Sequence, residues 1–502
     1  MYLYRLLLMI LFLKQLTKIL SFYESSSLIF ALPHSKRHQY PMFASTIDTL
    51  VLSGGGAKGV SFVGVTETFE QLNLLSSIQH IAGTSAGSIF GVLLSFGTSS
   101  KALTALIQDK SFDEILGKRI LFGQKGTLPL ITKSGLPIYQ LMRRIIRSNI
   151  VNYLPHLQPN FHKISVLKKI YLKALRDEPI TFKDLYYLNH YLPKTFKNFY
   201  TNAMNRDTGE EVIFSHQITP EIEVASACRG SLSIPVILEP YVIKIGDKNQ
   251  ILVDGGLLSN TAFHIVPSTS KMLMVELEKP TFDTLSKRNF ISVLEGLITP
   301  NNFKPILYVS KEVISYPLFD QVQRLISFLV INILGQVNHK VGYFYQKKWN
   351  QQLLSTQEPS ARLTLNLNRI NFLAFKTARQ RAKSMQLISQ IELAFLLLNR
   401  SLITEEAFHI YIKIMLLSIH QRLKTLPERP QQEKVLRKLK ETISHAFLIE
   451  HEALQRLMMK ALINSTKIFI ETNFDSTEAM ILGGDVVSGD ENVVKSRHPK
   501  LG

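Results

Sequence analysis

The sequence predicts an α/β fold followed by a helical C-terminal region. Two short runs, Thr49–Leu52 and Ile78–Ala82, each end in a glycine-rich turn, and an apolar stretch from Ile89 to Phe96 follows the second turn. A strand that passes through a glycine turn into a helix is typical of α/β proteins. Beyond Ile391 apolar residues recur at helical spacing, which predicts helices that pack against the preceding domain.

The first glycine-rich turn comprises Gly54, Gly55, Gly56, Lys58 and Gly59. Its glycine spacing also satisfies the dinucleotide-binding fingerprint, but that site needs an acidic residue about twenty positions later, and positions 74–82 contain none. A phosphate-binding P-loop is excluded because no Gly-Lys pair followed by Ser or Thr occurs in the turn. A loop of backbone N–H groups at a helix N-terminus suits negative charge, so beside a nucleophile it predicts an oxyanion hole.

The second turn reads Gly83-Thr84-Ser85-Ala86-Gly87. A serine between two glycines on a sharp strand-to-helix turn is typical of a nucleophile elbow, because Gly83 and Gly87 leave room for the exposed hydroxyl. The alternative is that Ser85 is an ordinary helix N-cap. That alternative leaves the first glycine turn unexplained, so the pattern favours Ser85 as a catalytic nucleophile.

The third turn, Asp254-Gly255-Gly256, ends the apolar run Ile251–Val253. A serine hydroxyl needs a neighbouring base, and a Ser, Asp, His chain order would offer Asp254 and His264. We interpret His264 as a structural or surface histidine. An aspartate that contacts Ser85 directly serves as the base by itself, and Gly255 and Gly256 form its supporting turn.

These three motifs, in this order and spacing, resemble the patatin-like phospholipase family. The segment from Ala225 to Pro235 and the stretch Thr-Leu-Asn-Leu-Asn-Arg-Ile-Asn-Phe near residue 364 are also similar to family segments, and the resemblance covers about residues 47–390. It implies a three-layer sandwich with a central, mostly parallel sheet. It further implies a phospholipase A-type lipid acyl hydrolase with a Ser85–Asp254 dyad and neither metal nor cofactor. Two roles stay open for Lys58: positive charge near the anionic intermediate, or a side chain on the outer face that anchors the loop or meets a lipid phosphate.

The chain has 502 residues, of which 45% are hydrophobic, and this is enough for a large core and more than one domain. Its single cysteine, Cys228, excludes intramolecular disulfides and is compatible with a reducing compartment. We expect Cys228 to be a buried structural thiol.

The formal net charge of +19 is unevenly distributed. Eleven Lys or Arg residues and no Asp or Glu lie between Ile115 and Leu175. The basic residues are Lys118, Arg119, Lys125, Lys133, Arg143, Arg144, Arg147, Lys163, Lys168, Lys169 and Lys173. Such a stretch attracts anionic lipid headgroups or nucleic acid. Because it follows the nucleophile helix, it is expected to form a cap near the active-site mouth, which favours a phospholipid membrane over nucleic acid; the alternative is a solvated face without a partner.

Four segments are predicted. Residues 1–46 form an apolar and basic N-terminal segment whose apolar run, Leu6–Leu13, is too short for a transmembrane span. A signal peptide, an amphipathic surface helix and an extension before Met42 stay open for this segment. Residues 47–393 form the catalytic domain with a basic cap insert at about 115–200, residues 394–474 a helical domain, and residues 475–502 a flexible tail. The uncharged run Leu325–Leu334 is interpreted as core or as a membrane-dipping helix.

A patatin-like domain followed by a helical region is similar in architecture to bacterial effector phospholipases. The resemblance implies a peripheral membrane or cytosolic protein, export into a host cell, and a host activator or regulator that binds the C-terminal helices. The alternative function is a catalytically silent or cofactor-dependent binding protein that engages membranes or a host regulator through those helices.

Overall fold

A computed structural model describes residues 47–109, 115, 119–122, 130–234, 238–277, 359–365, 367, 375–424 and 452–472. The described strands, in chain order, are β1 (Thr49–Leu52), β2 (His80–Gly83), β3 (Arg119–Phe122), β4 (Leu130–Lys133), β5 (Asn198–Asn205), β6 (Glu211–Phe214), β7 (Tyr241–Ile245), β8 (Lys248–Asp254), β9 (Met272–Leu277) and β10 (Ala361–Leu365).

The described helices are α1 (Phe62–Gln71), α2 (Ala86–Ser95), α3 (Ser100–Asp109), α4 (Leu136–Leu157), α5 (Ser165–Leu175), α6 (Phe182–Tyr191), α7 (Val224–Ser231), α8 (Phe375–Gln380), α9 (Ala382–Asn399), α10 (Glu405–Lys424) and α11 (Glu452–Thr472). Short 3₁₀ helices add Gly56–Ser61, Leu74–Ser76, Phe161–Lys163, Gly255–Leu257 and Phe263–Ile265.

Eight of the described strands form one mixed sheet in the order β10-β9-β1-β2-β5-β8-β7, with β6 paired to β5. Strands β10, β9, β1, β2 and β5 run parallel to one another, whereas β6, β7 and β8 add antiparallel pairings. All four residues of β1 are buried, as expected for a central strand covered by helices on both faces. The predicted α/β fold with a mostly parallel central sheet is therefore confirmed.

The sheet aligns the ends of the strands that carry the motifs. Leu52 at the end of β1 pairs with Gly83 at the end of β2, so the first and second glycine turns leave the same edge of the sheet. Asp254 at the end of β8 pairs with Ala203 of β5, the strand next to β2. Loops that follow the carboxyl ends of parallel strands are the usual place for a ligand site in open α/β sheets.

The C-terminal helices pack on the helix that follows the first glycine turn. Ser389 Oγ on α9 donates a hydrogen bond to Ser61 O at 2.8 Å, and the hydroxyls of Tyr411 on α10 and Thr68 on α1 lie 2.9 Å apart. Helix α10 begins directly after Thr404, whose hydroxyl oxygen accepts the Ala407 N–H at 3.2 Å. A C-terminal helical region is thus confirmed. The domain boundary after residue 393 stays a prediction, and α9 runs across that position without a break.

The cap consists of the hairpin β3-β4 and helices α4, α5 and α6. Helix α4 buries residues at a four-residue spacing, namely Ile138, Met142, Ile146, Ile150 and Leu154. It begins after Gly135, whose φ of 62° suits glycine. No helix among the described residues is long and apolar enough to span a membrane. The N-terminal segment 1–46, the run Leu325–Leu334 and the tail 475–502 lie outside the described residues.

Candidate active site

Ser85 occupies a sharp turn between β2 and α2. Its backbone has φ 51° and ψ −119°, a conformation that non-glycine residues rarely adopt and that is common at functional sites. A Cβ on Gly83 would lie 2.8 Å from Ser88 N, and a Cβ on Gly87 would lie 2.7 Å from Leu52 C. Both elbow glycines are therefore required for the turn to pack against its own helix and against β1.

The hydroxyl of Ser85 donates a hydrogen bond to Asp254 Oδ2 at 2.6 Å. The other carboxylate oxygen, Oδ1, accepts the Gly256 N–H at 2.7 Å, which fixes the orientation of the carboxylate. Burial raises the pKa of Asp254 from 3.8 to about 6, while the bonds from Ser85 and Gly256 lower it. At neutral pH the carboxylate is ionised, and it is a stronger base than an exposed aspartate.

The backbone N–H groups of the first glycine turn divide into two sets. Gly54 N–H donates to Asn260 O at 2.9 Å and Lys58 N–H donates to Gly55 O at 3.1 Å, so both hold the shape of the loop. Within the described part of the chain, the N–H groups of Gly55 and Gly56 have no acceptor. Gly56 lines the same cavity as Ser85, so its N–H, together with that of Gly55 beside it, is a donor available to an oxyanion there.

Gly59 and Gly255 allow the loop and the Asp turn to pack closely against their neighbours. A Cβ on Gly59 would lie 2.9 Å from the Cβ of Ala86, so this glycine lets the loop approach the start of α2. A Cβ on Gly255 would meet the backbone of Asn202. Lys58 is only 2% exposed, so its side chain does not lie on an outer face, where a lipid phosphate would meet it.

Three side chains that the sequence patterns did not single out support the elbow and the loop. Ser231 Oγ accepts the Ser85 N–H at 3.0 Å, and Asn260 Nδ2 donates to Gly54 O at 3.2 Å. Asn202 Oδ1 accepts the hydroxyl of Thr84 at 2.8 Å. Asn202 lies 118 positions from Thr84, so no local pattern reveals this bond. Ser231 lies in the segment that resembles the family, which was the only signal for its role.

His264 lies in a different polar cluster from Ser85. Its Nε2 is 2.9 Å from Glu211 Oε2, and Glu211 Oε1 accepts a bond from Asn202 Nδ2 at 2.8 Å. This arrangement agrees with the interpretation of His264 as a structural histidine rather than the base for Ser85. No group of three His, Cys, Asp or Glu side chains suited to a metal ion occurs among the residues that the structure describes.

Ser85 opens onto an apolar cavity of about 90 Å³. Apart from Ser85 and Gly56, every residue that lines it is hydrophobic. The hydrophobic residues are Val60, Ala86, Ile89, Phe90, Leu93, Leu106, Ile107, Ile115, Ile138, Leu141, Met142, Ile145, Leu232, Ile234 and Leu238. Helix α2 and the cap helix α4 thus form facing walls, and the cavity is suited to a hydrocarbon chain whose polar end lies at Ser85.

Arg229 on α7 joins the two segments that bound this cavity. Its guanidinium donates to Ser134 O and Glu239 O, each at 2.8 Å, and to Ser233 Oγ at 2.6 Å. Burial lowers the pKa of this side chain to about 10. Ser134 precedes α4, so a single buried cation fixes both the start of the cap helix and the loop that leads to β7. Cys228 beside it is fully buried, as expected, and burial raises the pKa of its thiol.

Comparison with known proteins agrees with this geometry. The patatin-like phospholipase family matches residues 50–267. Two curated proteins are similar to the chain: YqhO of Bacillus subtilis, 29% identical over 215 residues, and a probable lipid hydrolase, 463L, of invertebrate iridescent virus 6, 28% identical over 214 residues. The matches cover 42% of this chain and 63% and 60% of those proteins.

Two solved structures also resemble the chain. VipD from Legionella pneumophila is 17% identical with a TM-score of 0.38, and the match covers 84% of this chain and 92% of VipD. ExoU from Pseudomonas aeruginosa, solved in complex with SpcU, is 18% identical with a TM-score of 0.32, and the match covers 86% of this chain and 90% of that chain. The region 50–267, which matches the patatin-like phospholipase family, holds the glycine turn, the serine elbow and the Asp turn.

Proposed function

We propose that the protein is a phospholipase A-type lipid acyl hydrolase in which Ser85 is the nucleophile and Asp254 the general base. The observation that supports this most directly is the 2.6 Å hydrogen bond between their side chains at the end of an apolar cavity. A nucleophilic serine must lie within hydrogen-bond reach of its base, and the buried Asp254 carboxylate meets this requirement without a histidine.

The reaction follows from these contacts. Ser85 Oγ attacks the ester carbonyl carbon while its proton passes to Asp254 Oδ2, and the Gly256 N–H holds the other carboxylate oxygen in place. The N–H groups of Gly55 and Gly56 stabilise the negative charge on the former carbonyl oxygen. The leaving alcohol takes the proton from Asp254, and an acyl-serine remains. Asp254 then accepts a proton from water as the hydroxide attacks the acyl carbon. As the bond between the acyl carbon and Ser85 Oγ breaks and the fatty acid leaves, Asp254 returns this proton to Ser85 Oγ, which restores both groups.

The lining of the cavity supports a lipid ester as the substrate. An acyl chain in the cavity would contact aliphatic and aromatic side chains of α2 and α4. Burial of each methylene contributes about 0.8 kcal/mol, so several methylenes provide a strong preference for a fatty acyl ester over acetate. We place the protein at a phospholipid membrane, where such esters occur. A host protein activator at the C-terminal helices and delivery into a host cell stay predictions.

The test is fatty-acid release from mixed phospholipid vesicles, with and without eukaryotic cell extract. We expect release by the wild type and by the exposed controls Ser76→Ala and Asp207→Asn, and no release by Ser85→Ala or Asp254→Ala. Dependence on the extract would indicate an activator. Equal release by Ser85→Ala and wild type would refute the assigned nucleophile. No release under any condition, with all proteins folded and bound to vesicles, would favour the binding protein instead.

A further inference from the structure

The cations of the basic cap differ in whether acidic side chains neutralise them. Three are paired with acidic residues that lie beyond the acid-free stretch 115–175. These pairs are Arg143 with Glu223 and Asp177, Arg147 with Asp177, and Lys173 with Asp184. Much of the positive charge on α4 is therefore held in ion pairs within the cap and with Glu223, and it is not available to an external anion.

Three lysines of the same cap remain available. Lys163, Lys168 and Lys169 are exposed, and no acidic side chain in the described part of the chain pairs with them; the same holds for Arg144 on α4. Lys163 ends the short 3₁₀ helix Phe161–Lys163, and the other two lie in the first half of α5. Three of these four unpaired cations thus lie on α5 and on the turn that leads into it.

The outer face of α5 combines these lysines with leucines. The helix buries Leu167, Ile170 and Ala174. The opposite face carries the exposed Lys168 and Leu175 and the half-buried Leu172, and the exposed Arg176 follows at its end. Leu175 is 55% exposed, although a helix face in contact with water is expected to be polar. Arg176 lies 3.9 Å from Glu178.

The end of α5 is fixed beside the part of α4 that lines the cavity. Arg143 Nη2 donates to Asp177 O at 2.8 Å, and Asp177 lies two residues after the end of α5. Arg143 directly follows Met142, which contributes to the cavity wall. A surface that binds to α5 therefore lies next to the helix that holds the acyl chain in the proposed function.

We propose that the outer face of α5, together with Lys163 and the exposed Leu157 at the end of α4, docks the protein on an anionic phospholipid bilayer. The lysines and Arg176 contact lipid phosphates, and Leu172 and Leu175 enter the boundary between headgroups and acyl chains. Basic and apolar residues on one exposed helix face are typical of surfaces that bind in the membrane interface. The inference rests on the proposed function, because it supplies the contact through which the hydrolase reaches its substrate.

Vesicle flotation of the full chain tests this directly. Ser85→Ala is used as the background so that no lipid is hydrolysed and binding is measured independently of catalysis. We expect binding to phosphatidylcholine vesicles that contain phosphatidylserine, and much weaker binding to phosphatidylcholine alone. Each lysine near an anionic surface contributes a factor of about five, so replacing Lys163, Lys168 and Lys169 with Gln is expected to lower the partition coefficient about a hundredfold. High salt is expected to weaken wild-type binding in the same direction.

A matched control replaces three exposed lysines elsewhere, Lys244, Lys248 and Lys413, with Gln and is expected to bind like the parent. Equal losses in both triple variants would overturn the proposal, as would unchanged binding of the α5 variant. So would an affinity for a DNA duplex equal to that for anionic vesicles. A second measurement needs only one substitution: Leu175→Cys carrying an environment-sensitive fluorophore is expected to shift to shorter emission wavelength with anionic vesicles, and no shift would overturn the proposal.

Discussion

Replacement of Asp254 with Asn removes a buried charge but keeps a side chain of the same shape. Burial raises the pKa of Asp254 from 3.8 to about 6, so the folded protein binds this proton more tightly than the unfolded chain does. Protonation of Asp254 therefore stabilises the folded protein. This stabilisation is fully present below pH 3.8 and is lost as the pH rises through about 6. About two pKa units at about 1.36 kcal/mol each give roughly 3 kcal/mol.

We expect Asp254→Asn to raise the free energy of unfolding by up to about 3 kcal/mol at about pH 8 and by about half as much at about pH 5. Hydrolysis is expected to fall by about 10²–10⁴-fold, because the variant lacks the general base. Urea unfolding at both pH values measures the first effect, with the exposed Asp207→Asn as the control. A variant that is less stable than wild type at the higher pH, or a difference that does not shrink on acidification, would refute the reasoning.

Three further outcomes follow from the geometry. The kcat/KM for a soluble ester is expected to increase with pH through about 6 and then level off as Asp254 ionises; a flat profile would contradict its role as the base. Gly83→Ala is expected to destabilise the protein by roughly 3 kcal/mol, because its Cβ would meet backbone atoms. Gly246→Ala, at a φ of 59° with no atom within 4 Å of the new Cβ, is expected to lose only about 1 kcal/mol, and urea unfolding compares the two. Met142→Trp fills the acyl cavity, so the ratio of kcat/KM for long-chain over short-chain esters is expected to fall; an unchanged ratio would show that the chain binds elsewhere.

The elements that carry the motifs could be predicted because their signals are local. The run Thr49–Leu52 coincides with β1, and the apolar run that ends at Val253 falls within β8, because buried strands show as short apolar runs before turn residues. The proximity of Ser85 and Asp254 was also expected, since both follow strands of one sheet. Their separation of 169 positions means that this expectation depended on the resemblance to a family as well as on spacing.

The residues that hold the site in place could not be predicted in the same way. Asn260 and Ser231 act through single hydrogen bonds to the backbone of Gly54 and Ser85, and an isolated Asn or Ser gives no pattern in the sequence. The charge distribution along the sequence also overstates the free positive charge of the cap, because acids such as Glu223 are brought next to its cations only by folding. The sequence alone therefore does not distinguish the unpaired lysines of α5 from the cations of the cap that form ion pairs.

Three consecutive residues at the end of α7 each contact a different part of the site. Ser231 Oγ accepts the N–H of Ser85, Leu232 lines the acyl cavity, and Ser233 O accepts the N–H of Asp254 at 3.0 Å. A chain that fits poorly against Leu232 must shift a segment that positions both reacting groups. Selectivity for the acyl chain is therefore expected to be expressed in turnover as well as in affinity, so that a poorly matched lipid is bound and yet cleaved slowly.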